Sequence, residues 1–173
     1  MDFSILYNNS IRIRTKHASF VIDPFRSIPK VSADAVIVLG NKEDIDLSRV
    51  SDYRIVIEGG GEYEVNNVKI SGIGVGNSFV YRIFADNFIL VLGRISALSR
   101  IQDESLSSEL ALLNVDENLE VIVAKLEPKT VILYGEKKME GAKELGRDHI
   151  KPVQKFSIAK DKLPTEMEVV VLG

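Results

Sequence analysis

The chain has 173 residues, 45% of them hydrophobic and 27% charged, with a net charge of -3. That length and balance predict one globular domain over residues 1–173 with a substantial core. The acidic balance excludes a general nucleic-acid or anionic-membrane binder, which needs a face-sized excess of Lys and Arg, and the lack of cysteine excludes a disulfide framework, a thiolate nucleophile and a cysteine–zinc site.

The first ninety residues read as β structure. Phe3–Tyr7 and Ile11–Arg14 flank the turn composition Asn8-Asn9-Ser10 and predict a hairpin. The alternation Ile11-Arg12-Ile13-Arg14 puts both isoleucines on one face and both arginines in water. Ser19–Ile22 continues the meander and stops at Asp23-Pro24, where proline removes a ladder donor. Val36–Leu39 and Arg54–Ile57 are short apolar runs, the pattern of strands covered on both faces. Asn66-Asn67 and Asp86-Asn87 are type I′ turn pairs, predicting hairpins of Glu62–Val65 with Val68–Ile70 and of Phe79–Phe84 with Phe88–Leu92. Gly72-Ile73-Gly74-Val75-Gly76 lacks a following helix and reads as a flexible loop, not a phosphate cradle.

Helices enter in the second half. Leu119, Ile122, Val123 and Leu126 form an amphipathic stripe that predicts a helix with Asp116 as N-cap and an end at Glu127-Pro128. Thr130–Tyr134 is a buried strand, and a shorter helix over Met139–Leu145 closes at Gly146. Phe156–Ile158 and Val169–Leu172 are the final strands, while Leu110–Val115 is ambiguous by periodicity alone. Lys137, Lys138, Lys143 and Arg147 alternate with Glu140 and Glu144, a solvated helix face. The amino terminus shows no secretory signal and no apolar run reaches membrane-spanning length, so a cytoplasmic protein is expected.

Several strings carry a family resemblance over essentially the whole length. Phe20-Val21-Ile22-Asp23-Pro24-Phe25, Ala33-Asp34-Ala35-Val36-Ile37-Val38, Gly59-Gly60-Gly61-Glu62-Tyr63-Glu64-Val65 and Leu126-Glu127-Pro128-Lys129-Thr130-Val131-Ile132 are the most distinctive. The chain resembles the compact, lactonase-like branch of the metallo-β-lactamase superfamily of metal-dependent hydrolases. The resemblance implies an α/β fold: an αββα sandwich of two mixed, strand-rich sheets with few short outer helices. It also favours a strand at Leu110–Val115.

The same resemblance implies a metal site, and this sequence departs from it at nearly every ligand. The family's H-x-H-x-D-H motif falls on Gly40, Lys42, Asp44 and Ile45, leaving only Asp44 with a ligand-type side chain. Asn8 stands at the histidine of the first turn, Arg94 at the bridging aspartate, and Gly135 at the last histidine. Zinc needs deprotonated N, O or S ligands, usually three from the protein in a catalytic site. The two histidines, His17 and His149, fall outside the motif and read as exposed.

These residues predict no catalytic group, no metal and no cofactor. The vestigial site comprises Asn8, Asp23, Gly40, Lys42, Asp44, Glu62, Arg94 and Gly135. Arg94 or Lys42 is expected to pair with Asp44 or Asp23 and replace the ion as a cross-link. The expected role is a pseudoenzyme that binds a protein partner or a small ligand, with neither nucleic acid nor membrane. Two alternatives stand beside it. One is a hydrolase rebuilt around a hard ion on Asp23, Asp44, Glu62 or Glu64; the other is a structural subunit of a homo-oligomer. Glu62 and Glu64 share a strand face but read as architectural, at a turn beside the old site.

Overall fold

Ile11 and Ile13 do point to one side, and the computed structural model, which describes residues 1–40, 43–102 and 106–173, is built outward from that side. In chain order the strands are β1 (Asp2–Tyr7), β2 (Ser10–Arg14), β3 (Ser19–Ile22), β4 (Val31–Ser32), β5 (Ala35–Ile37), β6 (Val50–Ser51), β7 (Ile55–Ile57), β8 (Gly61–Val65), β9 (Val68–Val75), β10 (Ser78–Ala85) and β11 (Phe88–Arg94). A short helix α1 (Ile95–Leu98) follows. Then come β12 (Leu110–Asn114), α2 (Glu120–Leu126), β13 (Thr130–Tyr134), α3 (Lys138–Glu144), β14 (Lys155–Ser157) and β15 (Glu168–Val171).

Two mixed sheets face each other. Sheet one has the order β14-β1-β2-β3-β5-β7 and sheet two the order β15-β13-β12-β11-β10-β9-β8. Strands β3, β5 and β7 run parallel, as do β11, β12, β13 and β15. Period-two alternation sends Phe3, Ile11, Ile13, Phe20, Ile22 and Ile37 inward from sheet one. They meet Ile70, Ile83, Leu90, Leu92, Leu112 and Ile132 of sheet two, all essentially inaccessible to solvent. Each such side chain contributes roughly 1.5–3 kcal/mol of burial free energy.

The outer faces are covered differently. On sheet two, Val91, Ala111, Leu113, Val131 and Leu133 are capped by Leu98 of α1, Ile122 and Leu126 of α2, and Ala142 of α3. On sheet one, Val21, Val36 and Val38 lie under Ile28, Ala33 and Val50, an irregular layer with one 3-10 turn at Leu47–Arg49.

Both type I′ turns form, with φ of +47° and +65° at Asn66-Asn67 and +52° and +66° at Asp86-Asn87. Leu110–Asn114 is a fully buried strand. Four expectations are corrected. Gly72–Val75 continues strand β9, because each of its residues is paired with Ser78–Tyr81 of β10, and Gly72 leaves room for Gly59 O, which a Cβ would meet at 2.4 Å. Asp116 does not cap α2; its carboxylate accepts the Ser96 N–H at 2.9 Å and the Ser96 hydroxyl at 2.5 Å. Strand β7 lies at the edge of sheet one with Ile55 exposed, so it is not covered on both faces. Arg12 is half-buried instead of solvated, because its Nη2 donates to Ser32 O at 2.7 Å. Among the described residues, no helix is long and apolar enough to cross a membrane.

Candidate functional site at one edge of the sandwich

Three neighbouring strands of sheet two end in polar residues that share one face. Leu92, Leu112 and Ile132 are register partners in the inner core. Two residues further on, Arg94, Asn114 and Tyr134 are likewise in register, so they also face inward, toward sheet one. There they meet Asp23, which ends β3.

Asp23 is held in place by backbone geometry. Its φ is +43°, unusual for a residue with a side chain, and its N–H donates to Ile37 O at 3.0 Å. The Ser10 hydroxyl donates to Asp23 O at 2.5 Å and accepts the Phe25 N–H at 3.2 Å, fixing the turn before and after Pro24. The carboxylate, fully buried, accepts the Leu39 N–H at 2.9 Å and Arg94 Nη2 at 3.3 Å. Burial pushes its pKa up to about 6, with Leu39 N–H and Arg94 pulling the other way. The Asp23–Arg94 pair joins the end of β3 in one sheet to β11 in the other.

The hydrogen-bonding capacity of this cluster is not filled. Arg94 is three-quarters buried and its Nε is buried without a partner among the described residues. Tyr134 Oη is also buried, with only a weak approach from the Asn114 amide among the described residues; burial first, then the charge of Asp23, raises its pKa well above the ordinary phenol. Asn114 is only 4% exposed, and its amide reaches Asn9 Oδ1 at a long 3.5 Å. Gly135 has φ of +98°, and a Cβ there would sit 2.5 Å from Asn114 Oδ1 and 3.3 Å from Asn9 Oδ1.

Two recesses open over this edge. One, of about 270 Å³, is lined by Asn9, Arg94, Asn114, Val115, Asp116, Glu136 and Lys137. The other, of about 350 Å³, is lined by Tyr7, Asn8, Asn9, Phe25, Arg26, Ser27, Asp44 and Glu136. Asn9 and Glu136 border both, so the two recesses adjoin.

The structure thus brings Asn8, Asp23, Asp44, Arg94 and Gly135 to one edge. Gly40 lies there too: the residue before it donates to Asp23, and a Cβ on Gly40 would sit 3.0 Å from Ser78 Oγ. Lys42 lies outside the described residues. Glu62 does not join the cluster. It sits within strand β8 on the outer face of sheet two, accepts the Ser71 hydroxyl at 2.6 Å, and borders a separate recess with Lys69, Arg82 and Phe84. The expected place for Glu62 and Glu64, a turn beside the old site, is corrected accordingly. His17 and His149 are exposed.

Sequence reasoning missed Asn9, Asn114, Asp116, Tyr134 and Glu136. A signal existed for Asn114: it is the one polar residue ending the apolar run Leu110–Leu113, the carboxyl end of a strand being where parallel sheets carry their sites.

The donor set does not fit the zinc-type ion of the family that the sequence resembles. Glycines at 40 and 135 offer no side chain, and the remaining buried carboxylate, Asp23, is engaged by a guanidinium. Among the described residues, no group of three or more His, Asp or Glu side chains is placed to hold a metal ion.

No family model matches the chain, and no curated protein matches it in sequence. Solved structures do. A candidate Zn-dependent hydrolase of the metallo-β-lactamase superfamily from Thermotoga maritima superposes with a TM-score of 0.74 at 20% identity, covering 99% of this chain and 97% of that one. A candidate metal-dependent hydrolase from Parabacteroides distasonis gives 0.61 at 15%, covering 98% and 91%. An isothiocyanate hydrolase from Delia radicum gut bacteria gives 0.59 at 11%, covering 92% and 100%. With two mixed sheets in face-to-face contact and these end-to-end superpositions, the chain has the metallo-β-lactamase fold.

Proposed function

We propose that this chain is a non-catalytic protein of the metallo-β-lactamase fold that binds a small ligand or a partner at the edge where its hydrolase-like relatives in structure are built for metal chemistry. One observation carries the reading: the buried ion pair of Arg94 Nη2 with Asp23 Oδ2. By the resemblance drawn from the sequence, Arg94 stands where an aspartate would bridge two ions. A guanidinium there repels a divalent cation and occupies the carboxylate that would hold it. The rebuilt-carboxylate alternative finds less support, since Asp23 is engaged by Arg94 and Glu62 lies on another face. A cytoplasmic location belongs to the same proposal.

Elemental analysis of the purified protein tests it, paired with assays on lactone, phosphodiester and β-lactam substrates with and without added zinc. The expected result is no stoichiometric transition metal and no turnover in either condition. About one zinc or iron per chain, with hydrolysis abolished by chelator, would overturn the reading.

A further inference from the structure

Resting on the non-catalytic reading, we propose that the cleft over Arg94 binds a small zwitterion of the free α-amino-acid class, its carboxylate directed to Arg94 and Asn114 and its ammonium to Glu136. The groups left unengaged define the chemistry. A guanidinium carries five N–H donors. Among the described residues Arg94 directs Nη2 to Asp23, and its Nε has no partner. Asn114, nine-tenths buried and lining the recess, is held by a long contact to Asn9 and by Tyr134, so its amide is weakly engaged. The Arg94 Nε–H is the buried donor in search of an acceptor, and a buried donor left without one is costly.

The opposite wall is different. Both oxygens of Asp116 are taken by Ser96, and Lys137 Nζ donates to Asp116 O at 2.9 Å. Glu136, exposed at the rim of both recesses, is the carboxylate free to meet a cation. The pairing of charges selects the ligand class. Among the described residues lining the two recesses, Asp44, Asp116 and Glu136 are matched by Arg26, Arg94 and Lys137, so the walls carry both signs in equal number. A ligand of one sign alone would meet only half of them. A molecule with a carboxylate and an ammonium two bonds apart answers both. The recess of about 270 Å³ accommodates that head, and the adjoining one, with Tyr7 and Phe25 in its wall, accommodates a side chain.

The test is a thermal-shift screen of the twenty free L-α-amino acids at millimolar concentration, followed by titration calorimetry, with acetate and methylammonium as single-charge controls. At least one amino acid should bind while neither control does. Glu136→Gln, at an exposed position that leaves folding intact, should weaken binding about tenfold or more. Absence of binding by all twenty overturns the inference, as does acetate binding as tightly as the best amino acid, or an unchanged affinity in Glu136→Gln. Each of these outcomes leaves the non-catalytic reading standing, because that reading is decided by metal content and turnover.

Discussion

The two ends of the parallel strands β11, β12 and β13 are built to different rules. At their amino ends the closure is mostly backbone: Glu109 O accepts the N–H groups of Lys129 and Thr130, Glu109 N–H donates to Ile89 O, and Glu168 N–H donates to Lys129 O. Charge there is divided between a part-exposed pair, Glu109 accepting Lys160 Nζ and the Ile89 N–H, and an enclosed one, the amino terminus against Asp86 at 3.4 Å. At the carboxyl ends Asp23, Arg94, Asn114 and Tyr134 are enclosed between the sheets. Each end encloses one ion pair, the amino terminus with Asp86 at the first and Arg94 with Asp23 at the second, but the carboxyl end adds Asn114 and Tyr134 in register beside its pair. The difference teaches where this fold stores its chemistry. The ladders and the core fix the strands, and the residues that end β11, β12 and β13 in register carry the polar side chains inward.

Substitutions at the two ends test that contrast, and the largest effect should come from Gly135. Its left-handed φ and the approach of Asn114 Oδ1 mean that Gly135→Ala strains the backbone and displaces a packed amide, costing about 3 kcal/mol in chemical denaturation. Gly146→Ala, also at positive φ but in open space, should cost only about 1 kcal/mol. Equal costs would mean that the carboxyl end is as loose as a surface turn.

Next in size is the ion pair. Arg94→Ala strands a buried carboxylate and should cost about 2–3 kcal/mol, somewhat below a fully enclosed pair because Arg94 is 24% exposed. Asp23→Asn should cost less, and the double variant should fall well short of additive. Strict additivity with small single effects would show that the pair holds nothing together.

A pH profile sharpens the same point. With its folded pKa raised to about 6, Asp23 holds a proton in the folded chain between about pH 4 and 6 that it has lost when unfolded. Its stabilising contribution is complete below that window and is lost as pH rises through it, then stays flat. Wild type minus Asp23→Asn, measured as denaturation free energy, should therefore decline by about 1–2 kcal/mol across the window. A difference that rises with pH would mean that the ion pair outweighs burial.

The smallest effect belongs to the amino end. Lys160 is 43% exposed and packs over the Phe88 ring at 5.2 Å, so Lys160→Ala should cost about 0–1 kcal/mol, and less at high salt. A cost matching that of Arg94→Ala would erase the distinction between the two ends.

Much of this molecule is legible in its residues. The I′ pairs Asn66-Asn67 and Asp86-Asn87 need local chemistry only, because φ above zero at two successive positions is tolerated by few side chains. The stripe of α2 and the apolar run of β13 follow from periodicity. Helix α1 was not legible: Ile95–Leu98 is one turn long and exists because Leu98 and Ala97 cover sheet two. Nor was the Asp116 contact, since choosing Ser96 over the helix end depends on a partner twenty residues away.

The sequence by itself determined the strand alternation, the hairpins and the absence of ligand-type side chains at positions 40, 45, 94 and 135. Those are local or compositional properties, carried by each residue wherever it lies. Only the tertiary structure decided that Arg94 meets Asp23, that Asn9 reaches Asn114, and that Glu62 turns away. Such choices depend on register between strands and on which face of the sheet a residue occupies, and a shift of one residue reverses the face. Pairing across 71 positions is a property of the packed sheets, settled by burial and not by neighbours in the chain.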